Sequence, residues 1–412
     1  MADVILLHNG TVIDCTGADP RERTSLLVEG RLITRVAPAS SLRRPRGATV
    51  VDLSGRTVLP GLSDAHVHLG STDLPPEVML SQPPAVWAMK VRRIIEETLD
   101  AGFTTVRDAG GIDGGFAQAV AEGHIRGPRI LPSGAMISQT GGHGDWRQRY
   151  QQYFVDAVAG LTAPPAICDG ADQVRRAVRE QFRRGATQIK VMAAGGAMSP
   201  ADTLMTTQLT VEEMAAAVYE ARAIGTIVMA HTYSPQSISN ALEAGVMSIE
   251  HGNFLDEPTA ARMKAKGAFL VPTITTYELV DTFGPSHGVP DFQMEKTRFA
   301  KQGCFDSLRV AVAAGLRIGS GSDLLGPMHS VKTMELSLKA RVLGPMGALI
   351  SATHTNAALF GMADRIGTLE EGKWADVIVV NGNPLDDIEA LREPANVSLV
   401  MKEGQVLKNL LG

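Results

Sequence analysis

An α/β fold in which eight β/α repeats form a barrel, joined to a small β-domain built from both chain ends, is predicted by three observations. Short apolar runs alternate with amphipathic helical stretches through the middle of the chain. β-rich runs broken by glycine turns are confined to the two ends. The length, 412 residues with 44% hydrophobic content, suffices to bury one large core beside a smaller unit.

The apolar runs are Leu62 to Leu69, Thr104 to Ala109, Arg129 to Ser133, Gln188 to Met192, Thr226 to His231, Ser248 to His251, Phe269 to Ile274 and Arg317 to Ser322. Between them, Ala171 to Arg184, Val211 to Ala223, Pro235 to Ala244 and Met294 to Ala314 carry apolar residues near helical spacing. Eight such repeats imply a (β/α)8 TIM barrel, in which catalytic groups gather at the C-terminal ends of the strands. At the N-terminal end, Val4 to Cys15, Ser25 to Val36 and Thr49 to Leu59 read as hairpin strands, with turns at Asn9-Gly10 and Glu29-Gly30-Arg31. The same style returns in Asp376 to Val380 and Val397 to Leu407. The expected organisation is therefore a composite β-sandwich domain from residues 1–60 and 367–412, with the catalytic barrel spanning 61–366.

Composition narrows the function classes. Thirty-nine basic against 44 acidic residues give a net charge of −5, and no basic block tracks a phosphate backbone, which argues against nucleic acid as a partner. Cys15, Cys168 and Cys304 have neither CxxC spacing nor a disulfide pattern, so a metal would be held by His, carboxylate or a modified lysine. No window approaches the roughly 20 apolar residues of a membrane helix, and Met1 to Leu7 lacks the basic start of a signal peptide. A cytoplasmic protein without membrane partners is expected; a leader already removed would leave no trace in this chain.

Ligand-type residues fall where a barrel would bring them together. His66 and His68, in Asp64-Ala65-His66-Val67-His68, close the first run, and residues two apart on a strand face the same side. An isolated HxH pair is equally compatible with two ordinary strand histidines; its place just after Val58-Leu59-Pro60-Gly61 favours a metal. Lys190 lies in the apolar run Gln188-Ile189-Lys190-Val191-Met192, where an unpaired ammonium is costly. Such a lysine can snorkel or pair with an acid, or it can be carboxylated by carbon dioxide and bridge two metals. His231 and His251 end the fifth and sixth runs, and Asp323 follows Gly319-Ser320-Gly321-Ser322 at the eighth. Each alone suits a hydrogen-bonded rim residue, whereas six at the ends of runs one, four, five, six and eight point to a metal site.

With these residues in view, the chain resembles the amidohydrolase superfamily, and within it the clade of prolidases, arginine or lysine carboxypeptidases and ochratoxin-degrading amidohydrolases. The resemblance runs over nearly the whole length. It is carried by Leu59 to His68, Gly102 to Asp108, Gly127-Pro128-Arg129, Thr140-Gly141-Gly142-His143-Gly144-Asp145 and Ile249-Glu250-His251-Gly252, and by Gly367 to Asp376 with Asn383-Pro384-Leu385. It implies two divalent metal ions, with zinc the best match to imidazole and carboxylate ligands. One would be held by His66, His68, N6-carboxylated Lys190 and Asp323, the other by Lys190, His231 and His251. It further implies a metal-bridging hydroxide as nucleophile, Asp323 as general base and then proton donor to the departing amine, and His143 as the partner of the substrate carbonyl or carboxylate. Tyr233 is a candidate for the substrate carboxylate or a rim aromatic under a loop. The substrate expected is a small molecule or dipeptide with an amide bond to a free-carboxylate amino acid: a dipeptide, an N-acyl amino acid or ochratoxin A. A homo-oligomer is implied, with an octamer among the assemblies.

Competing readings use the same residues. A deaminase on this fold often carries a glutamate three residues after the strand-five histidine, where this chain has Ser234. Lactone or cyclic-amide hydrolysis needs the same nucleophile, and a metal-free scaffold would have no physical need for six ligand groups. Arg107, Asp108 and Arg147 suit structural ion pairs. His287 suits a surface loop, and His8, His124, His329 and His354 have no ligand partner by spacing. The segments Thr140 to Asp156 and Thr275 to Phe292 are expected to set specificity.

Overall fold

The structure is a computed structural model and describes residues 4–74, 78, 82–147 and 164–411. Five strands form at the N-terminal end: β1 (Val4–Val12), β2 (Arg21–Glu29), β3 (Leu32–Pro38), β4 (Thr49–Asp52) and β5 (Arg56–Pro60). They share one sheet with β16 (Val377–Asn381), β17 (Val397–Lys402) and β18 (Gln405–Asn409), in the order β18-β17-β16-β5-β1-β2-β3 with β4 on β1. The two ends thus meet through the antiparallel β5–β16 pair, from Val377 opposite Pro60 to Asn381 opposite Arg56. Alternation along these strands places Leu7, Val12, Leu26, Val28, Val58, Val377, Val379 and Leu399 in one buried cluster, each fully buried aliphatic contributing about 1.5–3 kcal/mol. The ladder joins all eight strands in one sheet and gives no division into the two layers of a sandwich.

The central segment is α/β, with parallel strands. β6 (Leu62–Val67), β7 (Phe103–Asp108) and β8 (Arg129–Pro132) form one parallel sheet. A second sheet has the order β10-β9-β11-β12-β13-β14-β15, from β9 (Ile137–Ser138), β10 (Ala166–Ile167), β11 (Ile189–Met192), β12 (Val228–Thr232), β13 (Ser248–His251), β14 (Phe269–Val271) and β15 (Arg317–Ile318). The eight runs read from the sequence all contain a strand; β9 and β10, two residues each, are additional. Helices α1 (Pro84–Asp100), α2 (Gly114–Ala121), α3 (Ala171–Arg183), α4 (Val211–Ala223), α5 (Pro235–Ala244), α6 (Glu257–Lys266), α7 (Ile274–Phe283), α8 (Asp291–Ala313) and α9 (Met334–Ile350) lie between and after them.

Local chemistry explains the crossovers. Ser234 caps α5 by accepting from Ser237 N, Pro235 opens the helix, and Gly245 closes it at φ 94°. Asp256 and Gly267 (φ 66°) do the same for α6. The two parallel sheets are not laddered to each other, but backbone bonds join their edges. Ala65 N donates to Ser320 O (2.7 Å) and Asp323 N to His66 O (2.8 Å), while Thr187 N donates to Pro132 O (2.8 Å). The loop after β15 can lie this close to β6 because residue 321 is glycine: a Cβ there would stand 2.6 Å from both His66 Cβ and Val271 Cγ1. No helix among the described residues is long and apolar enough to cross a membrane.

Candidate metal centre

The six residues singled out in the sequence line one cavity, together with His143 and Tyr233. His66 and His251 end up deep in it, 0% and 2% exposed. His66, His251 and Asp323 each offer a ligand atom within 4.8 Å of the others. Asp323 Oδ1 is 3.3 Å from His68 Nε2 and 3.6 Å from His66 Nε2, and Lys190 Nζ is 3.4 Å from His66 Nε2. The His231 and His251 rings lie 4.4 Å apart between centroids.

Lys190 departs from the expected strand-end position. It is the second residue of β11 and pairs with Met229, while Met192 pairs with His231, so it sits two residues deeper in the sheet than His231. Its four-carbon stem spans the difference and brings Nζ level with the imidazoles. Asp323 lies five residues beyond β15 and is carried to the centre by the Gly321 loop.

The far nitrogen of every imidazole is held. His66 Nδ1 is 2.7 Å from Glu250 Oε2, His68 Nδ1 is 2.8 Å from Gly110 O, and His231 Nε2 is 3.2 Å from Gly195 O. Carboxylate and carbonyl oxygens only accept, so these nitrogens carry the protons and the opposite nitrogens keep lone pairs. His251 bonds Thr273 Oγ1 through Nδ1 (2.7 Å) and leaves Nε2 buried without a partner among the described residues. Glu250, fully buried, is fixed in turn by Arg107 Nη2 (2.8 Å) and Ser248 Oγ (2.5 Å) on its other oxygen. This is the arrangement that orients histidines toward a metal.

The donor set fits divalent cations on three observations. His251 Nε2 is an orphaned buried nitrogen. His68 Nε2 faces the Asp323 carboxylate, a contact that requires a proton or a cation between the two atoms. Lys190 is a buried amine with no carboxylate within ion-pair distance among the described residues. Burial pushes Lys190 down to about 8, so a minor but reactive fraction of the amine is neutral near physiological pH. Burial also holds His66, His231 and His251 well below the usual imidazole range. For Asp323 burial acts upward, but His66, His68 and Lys190 outweigh it and keep the carboxyl below its ordinary value.

Backbone strain concentrates here. His251 (φ 67°), Thr273 (φ 48°) and Asp323 (φ 52°) occupy left-handed conformations unusual for these residues. Such conformations persist where the surroundings over-determine them, typically at functional sites.

His143 follows β9 and stacks on His231, centroids 4.3 Å apart. Its Nδ1 is 3.0 Å from Ser199 Oγ, and burial pushes the ring down to about 4. The resting ring is therefore neutral near pH 7. Tyr233 is 2% exposed, 4.9 Å from His231 between ring centroids, and its Oη accepts from Tyr277 Oη at 3.0 Å.

The remaining sequence candidates are placed as follows. Arg107 pairs with Glu250, and Arg147 with Asp145 at 2.6 Å. Among the described residues Asp108 makes no ion pair; it accepts Leu69 N and Gly110 N, and burial pushes it up to about 7. His287 bonds Phe283 O, and His329 is buried against Ser71 O. Ser234, at the position where a deaminase carries its glutamate, is a helix cap. Of the segment Thr140 to Asp156, residues 148–156 lie outside the described residues. Glu250, Ser199, Asp202 and Tyr277 had not been singled out. Glu250 stood in plain view as a charged residue inside an apolar strand beside a ligand-type histidine.

The chain matches the family described as Amidohydrolase family over residues 57–407. The chain belongs to the amidohydrolase family. Ochratoxinase of Aspergillus niger is 31% identical over 424 aligned positions, covering 99% of this chain and 87% of the relative. Among solved structures, a prolidase in complex with N-methylphosphonate-L-proline is 39% identical, with a TM-score of 0.94 and coverage of 98% of this chain and 100% of the other. A Xaa-Pro dipeptidase with methionine bound in its active site is 30% identical, with a TM-score of 0.89 and coverage of 98% and 99%. As an amidohydrolase, the chain is a hydrolytic enzyme. The family is generally metal-dependent, in keeping with the clustered His66, His251 and Asp323.

Proposed function

We propose that this amidohydrolase cleaves an amide bond to an amino acid with a free carboxylate, using two divalent metal ions. The observation that carries this is the four imidazoles whose far nitrogens are hydrogen-bonded around a cluster that also holds Lys190 and Asp323. The ochratoxinase and prolidase relatives, whose named substrates have such a bond, support the class.

His66, His68, Lys190 and Asp323 would hold one ion, and Lys190, His231 and His251 the other, with Lys190 carboxylated on Nζ so that one side chain serves both. Zinc suits this set. The ions, when bound, supply a water acidic enough to attack near neutral pH and an electrophile for the substrate carbonyl. Asp323 stays ionised at neutral pH because three cationic or polar neighbours outweigh its burial. It takes the proton of the attacking water and returns it to the amine nitrogen, which leaves poorly unless protonated. His143 faces the carbonyl oxygen. It is neutral at rest, so it donates there only once Nε2 has taken up a proton from solvent, which offsets the negative charge that develops on the substrate. Tyr233, whose Oη accepts from Tyr277, bonds the substrate carboxylate in this reading.

The same reading closes the two parallel sheets into a (β/α)8 barrel of residues 61–366, with 1–60 and 367–412 as a composite β-sandwich. The test is a panel of Xaa-Pro dipeptides, N-acyl amino acids and ochratoxin A with the zinc-supplemented protein. Hydrolysis of one class with release of the free amino acid is expected; no turnover of any amide, with lactones hydrolysed instead, contradicts the proposal.

A further inference from the structure

We infer that Ser199 and Asp202 are positioning residues that grip His143 by Nδ1 and direct its Nε2 to the substrate. The inference rests on the amide-hydrolase reading for what His143 meets in the cavity. Ser199 Oγ has one proton, and its two acceptor neighbours are Asp202 Oδ1 and Gly196 O (3.1 Å). With that proton directed to either, Oγ accepts from His143 Nδ1–H. The ring therefore keeps its proton at Nδ1, whatever the state of Nε2.

The grip is built from three separate stretches of chain. The Asp202 side chain, 2% exposed, lies 3.3 Å from Lys296 Nζ of α8. Lys296 also donates to Gly196 O (3.0 Å) and Ser199 O (2.8 Å), leaving it no proton for solvent. Asp202 Oδ2 accepts from Gln208 Nε2 (2.7 Å), and Gln208 Oε1 accepts from His143 N (2.8 Å), closing the circuit. Gly196 is the cradle: a Cβ there would fall on Cε1 and Nδ1 of the His143 ring. The next residue back, Gly195, supplies the carbonyl that holds His231. One loop thus sets the register of His143 and of a proposed metal ligand together. An incidental loop histidine does not call for an ion pair on a buried carboxylate, the saturation of that carboxylate and a glycine cut to its ring.

The experiment uses zinc-loaded protein labelled with 15N-histidine, with two-bond 1H–15N spectra and His143 assigned by its loss in His143→Asn. The expected result is a protonated Nδ1 in the wild type. Ser199→Ala and Asp202→Asn should move the Nδ1 and Nε2 shifts toward an average of the two tautomers, while Ser199→Thr keeps the wild-type pattern. In the amide assay, kcat of Ser199→Ala is expected to fall about 10- to 100-fold with KM within about 2-fold, as for a misaligned group used in the transition state, and Ser199→Thr should restore it. An unprotonated Nδ1 in the wild type, or Ser199→Ala and Asp202→Asn spectra that do not change, would overturn the inference. If the wild type cleaves no amide, the functional proposal fails while the spectra still decide the positioning.

Discussion

Glu250 Oε2 lies 2.7 Å from His66 Nδ1, with both side chains fully buried, and its other oxygen is 2.8 Å from Arg107 Nη2. A carboxylate is the one side chain of this size that accepts on both sides at once. It holds the imidazole with Nε2 turned to the centre, and the guanidinium compensates its charge in a dry environment.

Replacing Glu250 by Gln breaks this relation without emptying the space. Whichever way the amide turns, its NH2 faces either Arg107 or the His66 Nδ1–H. The expected effect is a loss of roughly 10- to 100-fold in metal affinity, measured by chelator competition. Unchanged affinity would show that His66 is oriented by packing alone.

Carboxylation of Lys190 requires dissolved carbon dioxide and a neutral amine. Burial brings the amine to about 8, so near pH 8 a large fraction is reactive. Metal-stripped protein reloaded with zinc is expected to recover activity faster with added bicarbonate than in carbon dioxide-depleted buffer. Equal recovery would argue for an unmodified lysine. The fold around Lys190 also shows what pattern conveys and what it does not. An apolar run with one lysine, Gln188 to Met192, gave away both the strand and the odd residue, but not that Lys190 lies two residues below His231, because register belongs to the partner strand. The histidines were legible for the same reason as the strands, since alternation and strand-end position are local properties; Asp323, five residues beyond β15, reaches the centre only through the Gly321 loop. Ser199, Asp202 and Lys296 were not, since their relation to His143 exists only after α8 packs on the loop following β11. Strands β9 and β10 were too short to carry a period.

Glu335 is buried beneath the start of α7, where Oε2 accepts Thr275 N (2.9 Å) and Oγ1 (2.8 Å) and Oε1 has no partner. Burial pushes its carboxyl up to about 7 from an ordinary 4.5. Between these values the folded chain keeps a proton that the unfolded chain has released, so this group's contribution to stability declines as pH rises from about 4.5 to about 7. Glu335→Gln keeps the acceptor and removes the titration. Its urea midpoint relative to wild type is expected to rise across that window; a difference constant with pH would contradict the assignment.

In the proposed function, His66, His68, His231, His251, Asp323 and a carboxylated Lys190 together hold two metal ions. Metal content per chain, measured by inductively coupled plasma mass spectrometry on zinc-loaded wild type and Lys190→Ala, tests it most directly. Two ions are expected in the active wild type, with metal and turnover lost together in Lys190→Ala. A fully active wild type with no more than one ion, or a Lys190→Ala protein that keeps both ions and normal turnover, would contradict it.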